Sequence, residues 1–503
     1  MNAAVLSLLL LFGAGEPSSS NERAFWEVRI ELTEVAARSL ASEPRKAVNG
    51  RVDFGGNSVA ARVKLKGHGS FQRLDQKPSF TLHFDDTTAA QVPFGGSKIH
   101  LNNSAEDASY LKEKVGSELF RRARIAAPRM AHARVSLNDR ALGLYVLKEG
   151  FSEEFMLRNF GNMNGTIYDS DSSDQKEVGE QMDVDAGIDS RGQIKLKELW
   201  SAANEPDLSK RFDRLDSVLD LESFLKFTAM EVLLCHWDGY AMSQNNFRIH
   251  VPENGKIQFL PSGMDQIFAK ADFAWKPRFS GKVARALMET EPAQEQYEAA
   301  FNSLFPQVLN VPQISNHLTE VVRELSPHLS REEMKIVRSG AKEFIVRIAA
   351  RVDSLRAQLR AVELVPLIFK NGSAVIAHWE AVGEPEGGAM KQTASNLVIH
   401  AGPRTSASWR ARVGLPPGRY RLSSQVQTRD VTPLPFGNRQ GACLRVVGKN
   451  TQSKSVTGTS VETLKCEFEV SEHEPVTLVC EVRAAGGQVQ FAKPVHISQM
   501  DMK

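Results

Sequence analysis

The sequence predicts an α+β domain followed by an all-β sandwich. Three observations carry this expectation. Period-two apolar alternation runs from Trp26 to Phe84, heptad-like apolar stripes occupy the stretch from about Ala269 to Glu363, and short strands with Pro-Gly and Gly-Gly turns follow from Val365. At 503 residues the chain is too long for one core. The pattern divides it into a leader and tether (1–24), a first domain (25–363) and a β-sandwich (364–503). Hydrophobic content of 42% and charged content of 24% are those of an ordinary globular protein. A net charge of +2 without a basic arm gives no reason to expect nucleic acid.

The apolar run from Ala3 to Phe12 is too short to span a bilayer and leads into small residues and a Ser/Pro-rich tether. It reads as a secretory signal cleaved near Gly15. The expected protein is secreted or held in the cell envelope, periplasmic or extracellular, with no membrane span. Of four cysteines, Cys235 ends an apolar helix and reads as a buried hydrophobe; Cys443, Cys466 and Cys480 leave room for one disulfide and one free thiol.

Strands are expected at RVDFGG, VAARVKLKGHGS and KPSFTLHF. Between the last two lies a glycine loop. The backbone of Gly67, His68, Gly69 and Ser70 can approach phosphates closely because glycine lacks a side chain, with Lys77 as a point charge on the second strand. The same residues also make an ordinary hairpin with a solvated lysine. Ser104 to Arg124 reads as a capped helix with the stripe Leu111, Val115, Leu119 and Phe120. Ala133–Leu137 and Leu142–Leu147 pair about Asn138-Asp139 and end in Lys148-Glu149-Gly150. Three roles are open to Glu149: holding adenine, pairing with a lysine, or ending the strand.

From Gly165 to Lys195 the chain is polar and acidic. It lacks the DxDxDG loop with a distal Glu that binds calcium, and reads as a solvated insertion. An apolar helix from Leu215 to Leu234 then delivers His236-Trp237-Asp238, with His236 either a core histidine bonded to this loop or a metal ligand. The segment CHWDGYAMSQNNFRIHVPENGKIQFLPSGMDQIFA places an Asp, two Asn, a hairpin around Glu253-Asn254-Gly255 and a second Asp in order. Folding the hairpin lets Asp238, Asn245 or Asn246, and Asp265 face one cavity. That is what a magnesium-dependent phosphoryl transferase needs: a carboxylate to orient a hydroxyl, and an amide and a carboxylate for the metal.

This order resembles the catalytic and metal loops of protein kinases, with two departures. Ser243 occupies the spacing at which kinases put their Asn, and Asp265-Gln266-Ile267 lacks the Gly of Asp-Phe-Gly. KGHGSFQRLDQKPSF, GLYVLKEG, HWDGY, NNFRIH and GMDQIF resemble, in the same order, the motifs of the CotH family of atypical secretory kinases. The resemblance implies an atypical protein-kinase-like two-lobed domain that uses ATP and Mg2+ to phosphorylate Ser or Thr on a secreted or envelope protein. Asp238 would be the base, Asn246 (or Asn245) and Asp265 the metal ligands, and Lys77, Glu149, Gly67, Gly69 and Ser70 the nucleotide contacts. Glu113 and Glu118 are the candidate acids for pairing with the phosphate lysine, although each alone reads as a solvated glutamate.

The C-terminal region resembles jelly-roll modules with carbohydrate-binding or adhesive roles. Trp379 and Trp409 either stack on sugars there or lie in the core. The composition break near Glu363 predicts few contacts shared across it. Two readings from other classes stand beside the kinase. One is a catalytically silent envelope scaffold with a glycan-binding sandwich. The other is a glycan-active hydrolase with Asp238 and Asp265 as paired carboxylates.

Overall fold

The computed structural model describes residues 23–67, 69–169, 182–188, 192–360, 365–383, 385–435, 440–471 and 474–500. The expected signal segment, up to residue 22, and most of the acidic insertion lie outside the described residues.

Seven strands close into a barrel: β1 (Phe25–Glu31), β2 (Val48–Phe54), β3 (Ser58–Lys66), β4 (Ser79–His83), β5 (Lys98–Asn102), β6 (Met130–Leu137) and β7 (Arg140–Glu149), in the order β1-β2-β3-β4-β5-β7-β6. Closure comes from β1 and β6, which run parallel with Val28 opposite Val135. A closed barrel has no free edges. Alternation sorts its residues: Val28, Val52, Val63, Leu65, Phe80, Leu82, Ile99, Leu101, Tyr145 and Leu147 fill the interior. Their neighbours Lys64, Lys66, Thr81, His100 and Lys148 therefore stand on the outer face.

The helix expected from Ser104 begins at Lys112. Ser104 and Tyr110 both have positive φ, which breaks the helical path before that point. Asp107 supplies the cap, its carboxylate accepting from the backbone N–H groups of Leu111 and Lys112, each at 2.9 Å.

A second sheet, β11-β10-β8-β9, is built from β8 (Gly165–Asp169), β9 (Asp183–Gly187), β10 (Phe247–Pro252) and β11 (Gln258–Pro261). The hairpin read from the sequence forms, with Phe247 opposite Pro261 and Ile249 opposite Phe259. Behind it the Leu221–Leu233 helix is buried almost all round, and the Glu291–Val308 helix packs along it. Among the described residues no helix is long and apolar enough to cross a membrane.

The C-terminal region contains a five-stranded and a seven-stranded sheet around a single apolar core. Both tryptophans belong to that core: Trp379 donates to the Ile376 carbonyl at 3.2 Å and Trp409 to the Val398 carbonyl at 3.4 Å. All four cysteines are buried free thiols, so the disulfide for which the sequence left room does not form.

The boundary near Glu363 is crossed by buried charge. Glu291 and Glu295, one turn apart on the Glu291–Val308 helix, meet Arg410, Arg445, Glu481 and Ser408 on the five-stranded sheet. Arg445 lies 2.5 Å from both Glu295 and Glu481, and all three side chains are almost fully buried. The apolar cores on the two sides stay separate, and this ionic contact between them is not legible in composition, which shows where strands begin but not which face they dock. Removing one partner of a buried ion pair strands the other, so Arg445→Ala should cost about 3–5 kcal/mol. Arg421→Ala, which breaks the exposed pair with Glu467, should cost under about 1 kcal/mol. Urea unfolding of both variants measures the difference.

Candidate active site

The loop after the Leu221–Leu233 helix is built from inside the core. Leu234 ends the helix and Cys235 turns left-handed at φ 56°. His236 is fully buried; its Nε2–H donates to the Ser262 carbonyl at 3.0 Å, leaving Nδ1 buried with no hydrogen-bond partner. Burial lowers its pKa to about 4, so the ring is neutral at physiological pH. Of the two roles read for His236, the bond to Ser262 makes it the brace of the loop.

Glu231, in the last turn of the helix, is also fully buried. Its two carboxylate oxygens accept from the backbone N–H groups of Tyr240 at 2.9 Å and Ala241 at 2.7 Å, the start of the short Tyr240–Ser243 turn. Gly239 allows this approach: a Cβ there would lie 2.3 Å from Glu231 Oε1. Burial pushes the Glu231 carboxyl up to about 8.

Asp238 sits half-buried between these anchors. Both of its oxygens accept amide N–H groups, from Asn245 at 3.2 Å and from Asn246 at 2.7 Å, and Asn246 also donates to the Asp238 carbonyl at 3.0 Å. Asn246 adopts φ 50° and turns its Oδ1 toward Gly263, where a Cβ would approach to 2.2 Å. Gly263 itself has φ 54°, a left-handed conformation that glycine takes without strain. Two residues on is Asp265.

Opposite Asp265 lies a buried ion pair. Lys148 at the end of β7 meets Glu113 of the Lys112–Arg122 helix at 2.8 Å and Ser262 Oγ at 3.3 Å. Glu113 accepts a further bond from Asn102 at 2.6 Å, and Asn102 accepts one from Lys66 at 2.8 Å. Burial opposes the charge on Glu113, but Lys148 and Lys66 outweigh it and hold the carboxyl below its usual range. Among the described residues Asp265 has no such ion-pair partner. Burial, and then the negative charge of Glu113, raise its carboxyl to about 7.

The structure brings Asn245 and Asn246 onto Asp238 and packs Gly263, two residues before Asp265, against Asn246, while Lys77 and Glu149 take other partners. Lys77 reaches Tyr110 Oη at 2.5 Å and lies over the Tyr110 and Tyr145 rings at about 5 Å, and burial lowers it to about 8. Tyr145 points into the barrel whereas Lys148 points out, so Lys77 stands away from the Glu113–Asp265 cluster. Glu149 is buried between Arg129 at 3.1 Å and Arg158 at 2.5 Å, so its ion partners are two arginines and not a lysine.

Gly67 has φ 104° and its carbonyl accepts from Arg45, while Gly69 has open space around it. The Ser70 carbonyl accepts from Asn103 at 3.4 Å, next to Asn102; His68 lies outside the described residues. Neither acid of the helix is solvated: Glu113 pairs with Lys148, and Glu118 pairs with Lys114 at 2.6 Å and with His317. Lys148 and Glu231 were missed. Strand parity was the available signal for Lys148, since Tyr145 and Leu147 face inward; an isolated acid in the apolar run FTAMEVLL was the signal for Glu231.

Asp265 makes stability depend on pH in a definite direction. A carboxyl raised in the folded state contributes no penalty below its unfolded pKa and costs stability as pH rises toward about 7. Asp265→Asn should therefore melt with the unsubstituted chain near about pH 4 and above it near about pH 8, without added metal. Equal melting at both pH values would place the Asp265 carboxyl in the ordinary range.

Comparison with known proteins bears on the same residues. The family described as CotH kinase protein matches residues 64–356. Two relatives from Rhizopus delemar are named invasins. CotH7 is 22% identical over 258 residues, 46% of this chain and 43% of its own, and CotH2 is 21% identical over 349 residues, 60% and 56% respectively. The chain thus spans about half the length of the curated relatives it matches. Among solved structures, the Helicobacter pylori proinflammatory kinase CtkA aligns with 9% identity over 64% of this chain and 96% of its own, at a TM-score of 0.27. A carbohydrate-binding module, TmCBM61, solved with beta-1,4-galactotriose, aligns with 16% identity over 27% and 99%, at a TM-score of 0.20. The family match takes in more than half of the chain and every residue from Lys66 to Asp265 described above, and the chain belongs to the CotH kinase protein family.

Proposed function

We propose that this chain transfers the terminal phosphate of ATP to a Ser or Thr hydroxyl on a secreted or envelope protein. One observation carries the reading: a buried Lys148–Glu113 pair lies beside Asp265, while Asp238 is held by two amides on the adjoining loop. Phosphoryl transfer needs little covalent chemistry from a protein; it needs positioning and charge. Lys148, in place of Lys77, would steady the phosphates. Asp238 would orient the hydroxyl and accept its proton. The kinase-like two-lobed arrangement and the boundary near Glu363 belong to the same proposal.

The donor chemistry fits Mg2+. Among the described residues Asp265 accepts no side-chain hydrogen bond, and the nearby Lys148 does not offset the burial and the Glu113 charge that raise it. Among the described residues no three acidic, histidine or cysteine side chains converge into a metal cage. Mg2+ suits such a site because it is held by one or two protein ligands plus phosphates and water. Asp265 and Asn246, with Asn245 as the alternative amide, are the residues that would hold it. Bound there, it would offset the charge of the phosphates. The apolar leader and the two relatives named invasins support an exported protein.

Two measurements test the assignment. Asp238→Asn should keep nucleotide affinity within about threefold, while transfer from labelled ATP falls by roughly 10²–10⁴. Wild-type transfer by this variant would remove Asp238 as base, and nucleotide binding without transfer by the unsubstituted chain would favour the silent scaffold. Lys148→Met should abolish stabilisation by Mg-ATP in a thermal melt, and Lys77→Met should preserve it. The opposite result returns the phosphate role to Lys77.

A further inference from the structure

The face of the barrel above the site is unusual for a surface that covers a nucleotide. The outward positions of β3, β4 and β5 from Arg62 onward are Arg62, Lys64, Lys66, Ser79, Thr81, His83, Lys98, His100 and Asn102, all polar. Register aligns Lys64, Thr81, His100 and Lys148 in one row across the four strands β3, β4, β5 and β7. Lys66 and Asn102 lie toward Glu113, while Arg62, His83 and Lys98 lie on the other side of the row. Thr81 and His100 bond to each other at 3.0 Å, and His100 is kept neutral by burial and then by the cations Lys66, Lys148, Lys98 and Arg248 around it.

The carboxylates on this face are already matched to cations. Glu113 answers Lys148, Asp185 lies 2.7 Å from Lys98 and 3.0 Å from Arg248, and Asp169 lies 2.8 Å from Arg248. Among the described residues, Arg62 and Lys64 have no carboxylate partner.

Nor is the backbone at the exit of β7 open to a base. The Lys98 side chain lies where a Cβ on Gly150 would be, 2.5 Å from Cγ. Its ammonium takes the Phe151 carbonyl at 3.0 Å, and the Gly150 N–H is taken by the Lys98 carbonyl at 2.9 Å. A base is recognised by stacking on apolar or aromatic surface and by hydrogen bonds to its edges. Here both the sheet face and the exit backbone are occupied by polar and cationic groups. What such a face binds well is polyanion.

We infer that the site reads its nucleotide through the phosphates and is indifferent to the base, with Lys64, Lys66 and Lys148 as the cations that grip the triphosphate. The inference rests on the phosphotransferase reading above and deepens it. It assigns Lys64 a role in affinity and makes inorganic tripolyphosphate a competitive ligand of the same site.

Displacement of a ribose-labelled fluorescent ATP from the full chain, in excess Mg2+, tests it. ATP, GTP and CTP should displace the probe with affinities within about tenfold of one another, tripolyphosphate should do so within about tenfold of ATP, and adenosine should not displace it at about a hundredfold the ATP concentration. Lys64→Ala, a half-exposed position where folding is not at stake, should weaken all three nucleotides by a common factor of roughly 3–10. A preference for ATP over GTP beyond about tenfold, displacement by adenosine, or a Lys64→Ala loss confined to one base would overturn the inference while leaving the phosphotransferase reading intact. Failure of the labelled ATP to bind at all would overturn both.

Discussion

The Lys148–Glu113 pair is the constraint on which the site depends. Taking two charges out of water costs several kcal/mol, and their attraction repays it only when the remaining lone pairs and protons are satisfied. Glu113 meets that condition by accepting from Asn102, and Lys148 by reaching Ser262. The contacts tie together four separate elements: β7, the end of β5, the Lys112–Arg122 helix and the exit of β11. Asp265 lies close enough to feel both charges of the pair. Burial first, and then the negative charge of Glu113, hold its carboxyl above the ordinary range.

The loop that carries Asp238 is held with equal economy from beneath. Glu231 gathers the N–H groups of Tyr240 and Ala241, and His236 fastens the loop to Ser262. Arg351, fully buried on the Arg331–Arg360 helix, donates to the Val232 carbonyl at 2.8 Å and the Leu233 carbonyl at 3.4 Å, where the Leu221–Leu233 helix runs out of its own donors. It also reaches the Ala271 and Phe273 carbonyls beyond the site. Cys235, Gln244 and Asn246 all take left-handed conformations within a dozen residues. Such conformations cost non-glycine residues energy and persist only where the surroundings over-determine them. Here the surroundings are these buried charges.

The C-terminal sheets extend the same logic outward. The Glu291–Val308 helix packs on the Leu221–Leu233 helix and presents Glu291 and Glu295 to Arg410 and Arg445. Further along the same helix, Ala299 lies 3.0 Å from where a Cβ on Gly448 would be. The helix behind the Asp238 loop is thus backed by a helix that is itself clamped by ions to the five-stranded sheet. With Trp379 and Trp409 inside the core, this region reads from its contacts as a brace.

Local pattern determined much of this protein. Period-two alternation located the strands from β1 to β4 and the β10–β11 hairpin, and the order of Asp238, Asn245, Asn246 and Asp265 around that hairpin marked out the candidate site. These features are legible because each depends on residues near in sequence. Which lysine pairs with Glu113 was not, since Lys77 lies just before β4 and Lys148 near the end of β7, and only barrel closure decides that one covers Tyr145 while the other meets Glu113. The same holds for Glu149, held between Arg129 and Arg158, and for Arg445, whose partner Glu295 lies 150 residues away in the chain. A buried charge is decided by the partner that neutralises it, and that partner is supplied by the tertiary fold, because local sequence carries no record of what will be packed against it.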